Sequence, residues 1–327
     1  MNKIENSKVL VTGGAGFIGS NLVEVLLEQN NKVICLDNFM TGKRENIESF
    51  LANSNFVLLE GDIRNLAACR EACAGVDYVL HQAALGSVPR SIKDPMTSAE
   101  VNISGFVNIL FAAHEAKVKR FVYAASSSTY GDSEILPKVE DKIGKPLSPY
   151  GITKYVNELY AEIFSRIYGI ETIGLRYFNV FGKSQDPCGD YAAVIPKFVS
   201  SMIKHEAPTI NGDGSYSRDF TYIENVVQAN QLAALVTAPE AINTVYNIAY
   251  GERATLNELY VELQKNLTKF DPEIANIHPN YGPERAGDIP HSLACIDKAR
   301  KLLGYDPQYN LDEGLREATE WYFNNLK

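Results

Sequence analysis

The sequence predicts a doubly wound α/β fold, a parallel sheet covered by helices on both faces, carrying a smaller C-terminal lobe. Three observations predict it. Short apolar strands alternate with segments of helical period up to about residue 180, and parallel strands need crossover connections that bury both faces of their sheet. A glycine cluster at 13–19 separates the first strand from the first helix, and tight turns of that kind open nucleotide sites. The length of 327 residues, 45% hydrophobic and 22% charged, is that of a globular protein with room for about two domains.

The first strand is carried by Val9, Leu10 and Val11, and the first helix by Ile18, Leu22 and Val25 or Leu26 on one face. Further strands are read at Lys32–Asp37, Phe56–Glu60, Tyr78–His81, Phe121–Ala125 and Thr172–Tyr177, most of them separated by helical segments. Past Asn179 the rhythm changes. A Gly-Asp-Gly turn at 212–214, helices near 224–235 and 256–267, a proline-bearing loop at 279–290 and a final helix ending near Trp321 make an irregular lobe. Residues 1–180 are read as the nucleotide-binding domain and 181–327 as the substrate lobe, with the chain crossing back to the sheet. No internal repeat or flexible linker divides them.

The chain holds 31 Lys+Arg against 40 Asp+Glu, a net charge of −9. That excess repels phosphate backbones and anionic lipid, which excludes nucleic acid and membrane as natural partners. Five cysteines, at 35, 69, 73, 188 and 295, show no pattern of a disulfide scaffold and read as reduced thiols. Glu5 sits where a leader needs apolar residues, and no later run approaches the length of a membrane span; a cytoplasmic location is expected. Cys69 and Cys73 have a spacing that could seat a metal, yet no histidine or cysteine pair completes the set, and no metal is expected. His81, at a strand end, reads as a packing or cofactor-shell residue.

Gly13, Gly16 and Gly19 stand where a nucleotide-binding turn needs them: one for the turn, one for approach of a pyrophosphate to the backbone, one for close helix packing. By itself the string also fits a plain turn. Asp37 ends the second strand 24 residues after Gly13, where a carboxylate accepts from both ribose hydroxyls and repels a 2′-phosphate, a preference for NAD over NADP. It could also simply cap the next turn. Asp62 and Ile63, and Gln82, Ala83 and Ala84, follow later strands on the same edge.

Tyr150 and Lys154 lie one helical turn apart in a run that begins after Pro149. An ammonium beside a phenol lowers its pKa from about 10, as a tyrosine base requires. The hydroxyls of Ser126, Ser127, Ser128 and Thr129 follow the fifth strand and can bond a substrate oxygen, or merely make a turn.

The segment TGGAGFIG at 12–19, Asp37, the serine run before Tyr130-Gly131, SPYGITK at 148–154 and LRYFNVFG at 175–182 together resemble the extended short-chain dehydrogenase/reductase family, whose fold is the NAD-binding Rossmann sheet. The resemblance covers nearly the whole chain. Within that family it looks most like the nucleotide-sugar 4-epimerases, and HQAALGSVPRSI at 81–92 is similar to the UDP-N-acetylglucosamine 4-epimerases of bacterial surface-polysaccharide synthesis. The resemblance implies C4 epimerisation through a 4-keto intermediate, with Tyr150 as base, Lys154 on the nicotinamide ribose and tuning Tyr150, and Ser126 at the sugar hydroxyl with Ser127 nearby. It implies a cofactor site that also includes Phe17, Ile18, Asn38, Gly42 and Tyr177. A UDP-sugar site would use Gly86, Ser87, Asn179, the helix start from Ala193 and Val194 to Lys197, Arg218, Arg285 and Asp288. Ser292, four residues after Asp288, replaces the bulky tyrosine of epimerases restricted to unsubstituted hexoses, leaving room for a 2-acetamido group. The C6 group could be a hydroxyl or a carboxylate, with Arg90, Lys197 and His291 as candidates to meet the latter. Relatives pair two helices from each protomer, which implies a homodimer; Tyr155, Tyr160, Phe164 and Tyr168 read as helix packing, some of it at that interface.

Two other functions remain open. A 4,6-dehydratase or decarboxylase would use the same frame, but Ser127 and Ser128 occupy the places of the Asp-Glu pair that dehydratases carry. A non-catalytic NAD-sensing protein would not need Tyr150, Lys154 and the serines.

Overall fold

A computed structural model describes residues 3–186, 193–284 and 289–326. Its centre is a seven-stranded sheet. In chain order the strands are β1 (Lys8–Thr12), β2 (Lys32–Asp37), β3 (Phe56–Glu60), β4 (Tyr78–His81), β5 (Arg120–Ser126), β6 (Thr172–Tyr177) and a last strand, Thr244–Ile248. Across the sheet the order is Thr244–Ile248, β6, β5, β4, β1, β2, β3, every pairing parallel.

The apolar runs of the strands follow from burial on both faces. Val9 and Val11 of β1 join one core cluster and Leu10 between them joins the other, the two-residue alternation of a strand. On one face the Phe17–Glu28 and Ile223–Leu235 helices contribute Leu22, Leu26, Val226 and Ala233. Opposite, the Leu66–Cys73, Phe106–Glu115 and Pro149–Tyr168 helices contribute Cys69, Ile109 and Phe164. The first cluster continues into the lobe through Phe198, Leu259 and Leu315, so sheet and lobe share apolar packing.

The chain returns from the lobe to the sheet. The Ile223–Leu235 helix packs on β5 and β6, and Thr244–Ile248 pairs with β6 from Thr244 opposite Ile173 to Ile248 opposite Tyr177. The sequence reading did not single out this seventh strand, because Thr244 and Asn247 interrupt its apolar pattern. Asn247 is fully buried and bonded on every side: its N–H donates to Glu140 at 2.9 Å, its amide to the Lys138 and Cys295 carbonyls at 2.8 and 3.0 Å, and its oxygen accepts from the Tyr130 hydroxyl at 2.6 Å. A buried polar side chain satisfied in this way costs little.

The lobe is built on the Val194–Ile203, Leu256–Leu267 and Leu311–Asn325 helices and three two-stranded pairings. One of these, Thr209–Asn211 with Asn280–Gly282, lies partly in the stretch read as a loop at 279–290; its prolines mask a short strand set by long-range pairing. Both later helices open with reciprocal caps, Thr255 with Glu258 and Asn310 with Glu313.

A buried ion pair ties the Pro149–Tyr168 helix to the sheet. Arg176 of β6 donates to both carboxylate oxygens of Glu158, at 2.8 and 2.7 Å, and to the Glu140 carbonyl at 2.9 Å. Its guanidinium also lies over the Tyr130 ring, 4.8 Å from the centroid. Replacing Glu158 with Ala strands a buried guanidinium and is expected to lower the free energy of unfolding by about 3–5 kcal/mol, measured by urea titration.

Candidate active site

A cleft of about 490 Å³ opens beyond the C-terminal ends of the parallel strands, the edge on which open α/β sheets bind ligands. At the end of β1, Gly13 has φ +68° and its N–H donates to the Leu36 carbonyl at 2.8 Å. A Cβ there would come within 2.7 Å of the Ala83 nitrogen, and one at Gly19 within 2.0 Å of the Gly13 oxygen. At Gly16 the single near atom is the Gly13 oxygen, at 3.2 Å, so the space above that backbone is open. Gly16 is also the N-cap of the Phe17–Glu28 helix and brings no side-chain cap. The amides of Phe17, Ile18 and Gly19 in that first turn are therefore aimed at the cleft without a capping side chain, a cradle for a diphosphate.

Asp37, 7% exposed, both shapes the loop and faces the cleft. Its two oxygens accept from the Ala15 and Phe39 amides, at 2.9 and 2.8 Å, and burial holds its carboxyl above the ordinary range against those donors. Gly42 packs against it, and Asn38 donates to Asp62 at 2.8 Å. Arg64 holds the Asp62 carboxyl down at about 2. Ile63, Gln82, Ala83, Ala84 and Tyr177 also line the cleft. Gln82, the Tyr177 hydroxyl and Asn230 bond one another at 2.9–3.3 Å, which fixes the cleft floor. Lys43 and Asp186 form an ion pair at 3.0 Å between two loops at its rim. These residues fit NAD: a carboxylate for the adenosine ribose, an open glycine and uncapped amides for the diphosphate, and Lys154 at the far end.

At that reacting end the Pro149–Tyr168 helix begins under Ser148, whose hydroxyl accepts from the Gly151 amide at 3.1 Å. The helical spacing brings the Lys154 Nζ to 6.0 Å from the Tyr150 ring centroid, and Nζ donates to the Ala124 carbonyl at 2.8 Å. Ser126, ending β5, lies beside the Tyr150 phenol in the cleft, and its oxygen accepts from the Ser128 amide at 3.1 Å. Burial lowers Lys154 to about 8, opposed by Glu158 one turn on. Burial also raises the Tyr150 phenol above its usual value, opposed by Ser126. This corrects the sequence expectation of a lowered phenol: in the protein alone, desolvation of the phenolate outweighs an ammonium that is turned to a carbonyl.

His81 is a packing residue. It is 3% exposed, bonded to Thr12 at 2.7 Å and set against Phe106 and Phe121, and burial lowers it to about 3. Cys69 and Cys73 are buried, with thiols pushed up to about 12. Among the described residues no group of histidine, cysteine or carboxylate side chains is arranged to hold a metal, and no helix is long and apolar enough to cross a membrane.

On the substrate side, Gly86, Asn179 and Ala193 line the cleft, as does Arg90. Ser87 caps the Val88–Lys93 helix, accepting from the Arg90 amide at 3.2 Å, and Ser127 opens the turn after β5. Val194 and Lys197 lie on the next helix outside the lining, Lys197 exposed. Arg218 donates to the Ser217 and Pro290 carbonyls at 3.0 and 3.1 Å, and the Ser292 amide donates to the Ser217 carbonyl at 3.0 Å. Arg218 and Ser292 are thus neighbours in the lobe, beyond the lining of the main cleft. Arg285 and Asp288 fall outside the described residues.

The sequence reading missed Ser91, Asn102 and Asn230. Asn102 sits in a π-helical turn, Glu100–Gly105, of the kind that recurs at functional sites. Its amide oxygen accepts from the Leu85 amide at 2.8 Å and its nitrogen donates to the Leu85 carbonyl and Thr153 hydroxyl, both at 3.2 Å. A polar residue inside an apolar helical run was the available signal for Asn102 and Asn230.

Residues 9–249 match the NAD dependent epimerase/dehydratase family. The chain is 37% identical over 318 residues to a putative UDP-glucose 4-epimerase of Methanocaldococcus jannaschii, covering 97% of this chain and 99% of that one. Among solved structures it is similar to a UDP-N-acetylglucosamine 4-epimerase of Methanobrevibacter ruminantium M1 in complex with UDP-N-acetylmuramic acid, 37% identical with a TM-score of 0.90 and covering 98% and 99% of the two chains. It is likewise similar to a UDP-glucose 4-epimerase of Thermotoga maritima with UDP-glucose, 37% identical with a TM-score of 0.89 over 98% and 100%. The fold, the glycine cradle and these likenesses agree: the chain belongs to the NAD-dependent epimerase/dehydratase family of extended short-chain dehydrogenases/reductases, and NAD is its cofactor.

Proposed function

We propose that the protein is a UDP-sugar 4-epimerase, and that it prefers UDP-N-acetylhexosamines, with a C6 hydroxyl or carboxylate. One observation carries the activity: Tyr150, Ser126 and Lys154 converge at the end of a cleft that fits NAD. When bound, NAD supplies a nicotinamide carbon that takes up a hydride from the sugar C4 and returns it. Tyr150 removes the proton of the 4-hydroxyl, Ser126 holds that oxygen as it becomes a carbonyl, and Lys154 keeps positive charge near the phenol. Turning of the 4-keto sugar about its diphosphate link before the hydride returns inverts C4.

Elimination of water from C6 is disfavoured, because Ser127 and Ser128 follow Ser126 where an acid/base pair would be needed. For the acetamido preference the support is Ser292, a small side chain beside the Ser217–Arg218 strand. Of the three candidates for a C6 carboxylate, Arg90 lines the cleft whereas Lys197 does not, and His291 is bonded to Ser217 at 2.9 Å.

A cytoplasmic homodimer is part of this reading. Ile152, Leu159 and Ile167 are 50%, 46% and 64% exposed along the base-bearing helix, at spacings that form one apolar stripe. Tyr160 and Tyr168 are exposed on the same helix, Phe164 is buried and Tyr155 half-buried.

Incubation of the purified protein with UDP-GlcNAc, UDP-Glc and UDP-GlcNAcA without added reductant, followed by NMR, is expected to give the C4 epimer of the acetamido sugars. Tyr150→Phe is expected to lower kcat at least ~100-fold while the absorbance of bound NAD is retained; unchanged turnover would return the binding-protein reading. Ser292→Tyr is expected to raise KM or abolish turnover for acetamido sugars and to spare UDP-Glc, and equal activity on both would sink the steric argument. Ile167→Glu is expected to convert a dimer to a monomer in light scattering; a wild-type monomer would remove the dimer.

A further inference from the structure

Tyr150 is held by its backbone as well as by its side chain. Pro149, at the first helical position, has no N–H, so the first free amides of the helix are those of Tyr150 and Gly151. Ser148 takes the Gly151 amide from within the same turn. The Tyr150 amide is taken by Ser91, 59 residues earlier in the chain, whose Oγ accepts it at 3.0 Å. Ser91 is fully buried, and its hydroxyl proton goes to the Val88 carbonyl at 2.7 Å. Its direction is therefore fixed, with a lone pair presented to Tyr150.

The carbonyl side of Tyr150 leads back to the same segment. The Thr153 hydroxyl donates to the Tyr150 carbonyl at 2.8 Å and accepts from the Asn102 amide at 3.2 Å, and Asn102 brackets the Leu85 backbone through its N–H and C=O. Residues 85–91 thus reach Tyr150 from both sides. The same residues face the ligand: Gly86 and Arg90 line the cleft, Ser87 caps the short helix, and Ser91 is next to Arg90. A Cβ at Gly86 would meet nothing within 4 Å, so that backbone is open to whatever fills the sugar end.

We infer that Ser91 is a positioning residue for the base, coupling the segment that meets the sugar to the peptide that carries Tyr150. The inference rests on Tyr150 being the base, as proposed above. Ser91 touches no reacting atom. It fixes where the helix starts, and with it the reach of the phenol to Ser126 and to the sugar hydroxyl, where a displacement of about 1 Å costs on the order of 100-fold in rate.

The test compares Ser91→Ala with Ser148→Ala, which removes the neighbouring cap on the same helix turn without touching residues 85–91. Expected for Ser91→Ala is a fall of about 10-fold in kcat, with KM within about two-fold, NAD retained, and the acid limb of the kcat profile moved to higher pH as the phenol loses its alignment with Ser126. Ser91→Thr, which keeps the acceptor, is expected to restore most of the rate. Ser148→Ala is expected to lower Tm about as much as Ser91→Ala does, with kcat within about two-fold of wild type. A wild-type kcat and pH profile in Ser91→Ala overturns the inference, as does an equal loss of kcat in Ser148→Ala. Should Ser91→Ala fail to fold, hydrogen exchange on the NAD-loaded wild type replaces it. Saturation with UDP-GlcNAc is expected to slow exchange at the Tyr150 amide together with residues 85–91, and slowing of 85–91 alone overturns the coupling. Absence of turnover on every UDP-sugar by the wild type removes the epimerase reading instead, and the exchange experiment still decides the coupling.

Discussion

Parallel pairing is the constraint on which the rest of the molecule depends. Because every strand of the sheet runs the same way, every strand ends at the same edge, and each connection must leave from it. Gly13 after β1, Asp37 at the end of β2, Asp62 after β3, Gln82 after β4 and Ser126 at the end of β5 are far apart in sequence and share one cleft for that reason. The strands can be apolar on both faces because helices cover both, which leaves the strand ends and the turns beyond them as the place where polar groups meet a ligand.

What was legible in the sequence is what local chemistry dictates. Gly13 could be assigned from its place in the glycine string between the first strand and the first helix, and its φ of +68° and closeness to Ala83 leave no room there for a side chain. Tyr150 and Lys154 could be paired because four residues make about one helical turn. Ser148 and Pro149 marked the helix start by the ordinary rules of capping. The strand Thr244–Ile248 was not legible, since its polar Thr244 and Asn247 are accommodated by partners from residues 130, 138, 140, 295 and 298. Ser91 was hidden for the same reason. Nothing near it in the chain reveals that its hydroxyl receives an amide from residue 150.

The direction of the Tyr150 shift shows where spacing alone misleads. Proximity of a lysine argues for a lowered phenol, and the sequence supplies the proximity. Burial acts on both groups at once, raising the phenol and lowering the ammonium to about 8, because each loses its hydration in the charged form. The pair is thereby biased toward its uncharged forms. Ser126 at the phenol and Glu158 near the ammonium oppose that bias from either side, and Glu158 is itself held in place by Arg176. The carboxylate that fixes the helix to the sheet through Arg176 is thus also the group that opposes the lowering of Lys154.

A 4-epimerase sets opposite demands on its two halves: the base must stay put through two proton transfers, and the sugar between them must turn over. The hydrogen bonds around Tyr150 answer the first of these demands. Around Tyr150 the backbone N–H and C=O are both taken by buried side chains, Ser91 at 0% and Thr153 at 3% exposure, and a π-helical turn places Asn102 where it can brace Leu85 against Thr153. In the same cleft Gly86 and Ala193 offer little side chain to hold a ring, next to Arg90 and Asn179, which can bond one. On the proposed mechanism, one phenol held at its backbone N–H and C=O can serve both faces of the same carbon only if the ring is free to turn between them. A larger side chain at Gly86 or Ala193 would add affinity by holding one orientation, and in doing so would oppose the turn on which the reaction depends.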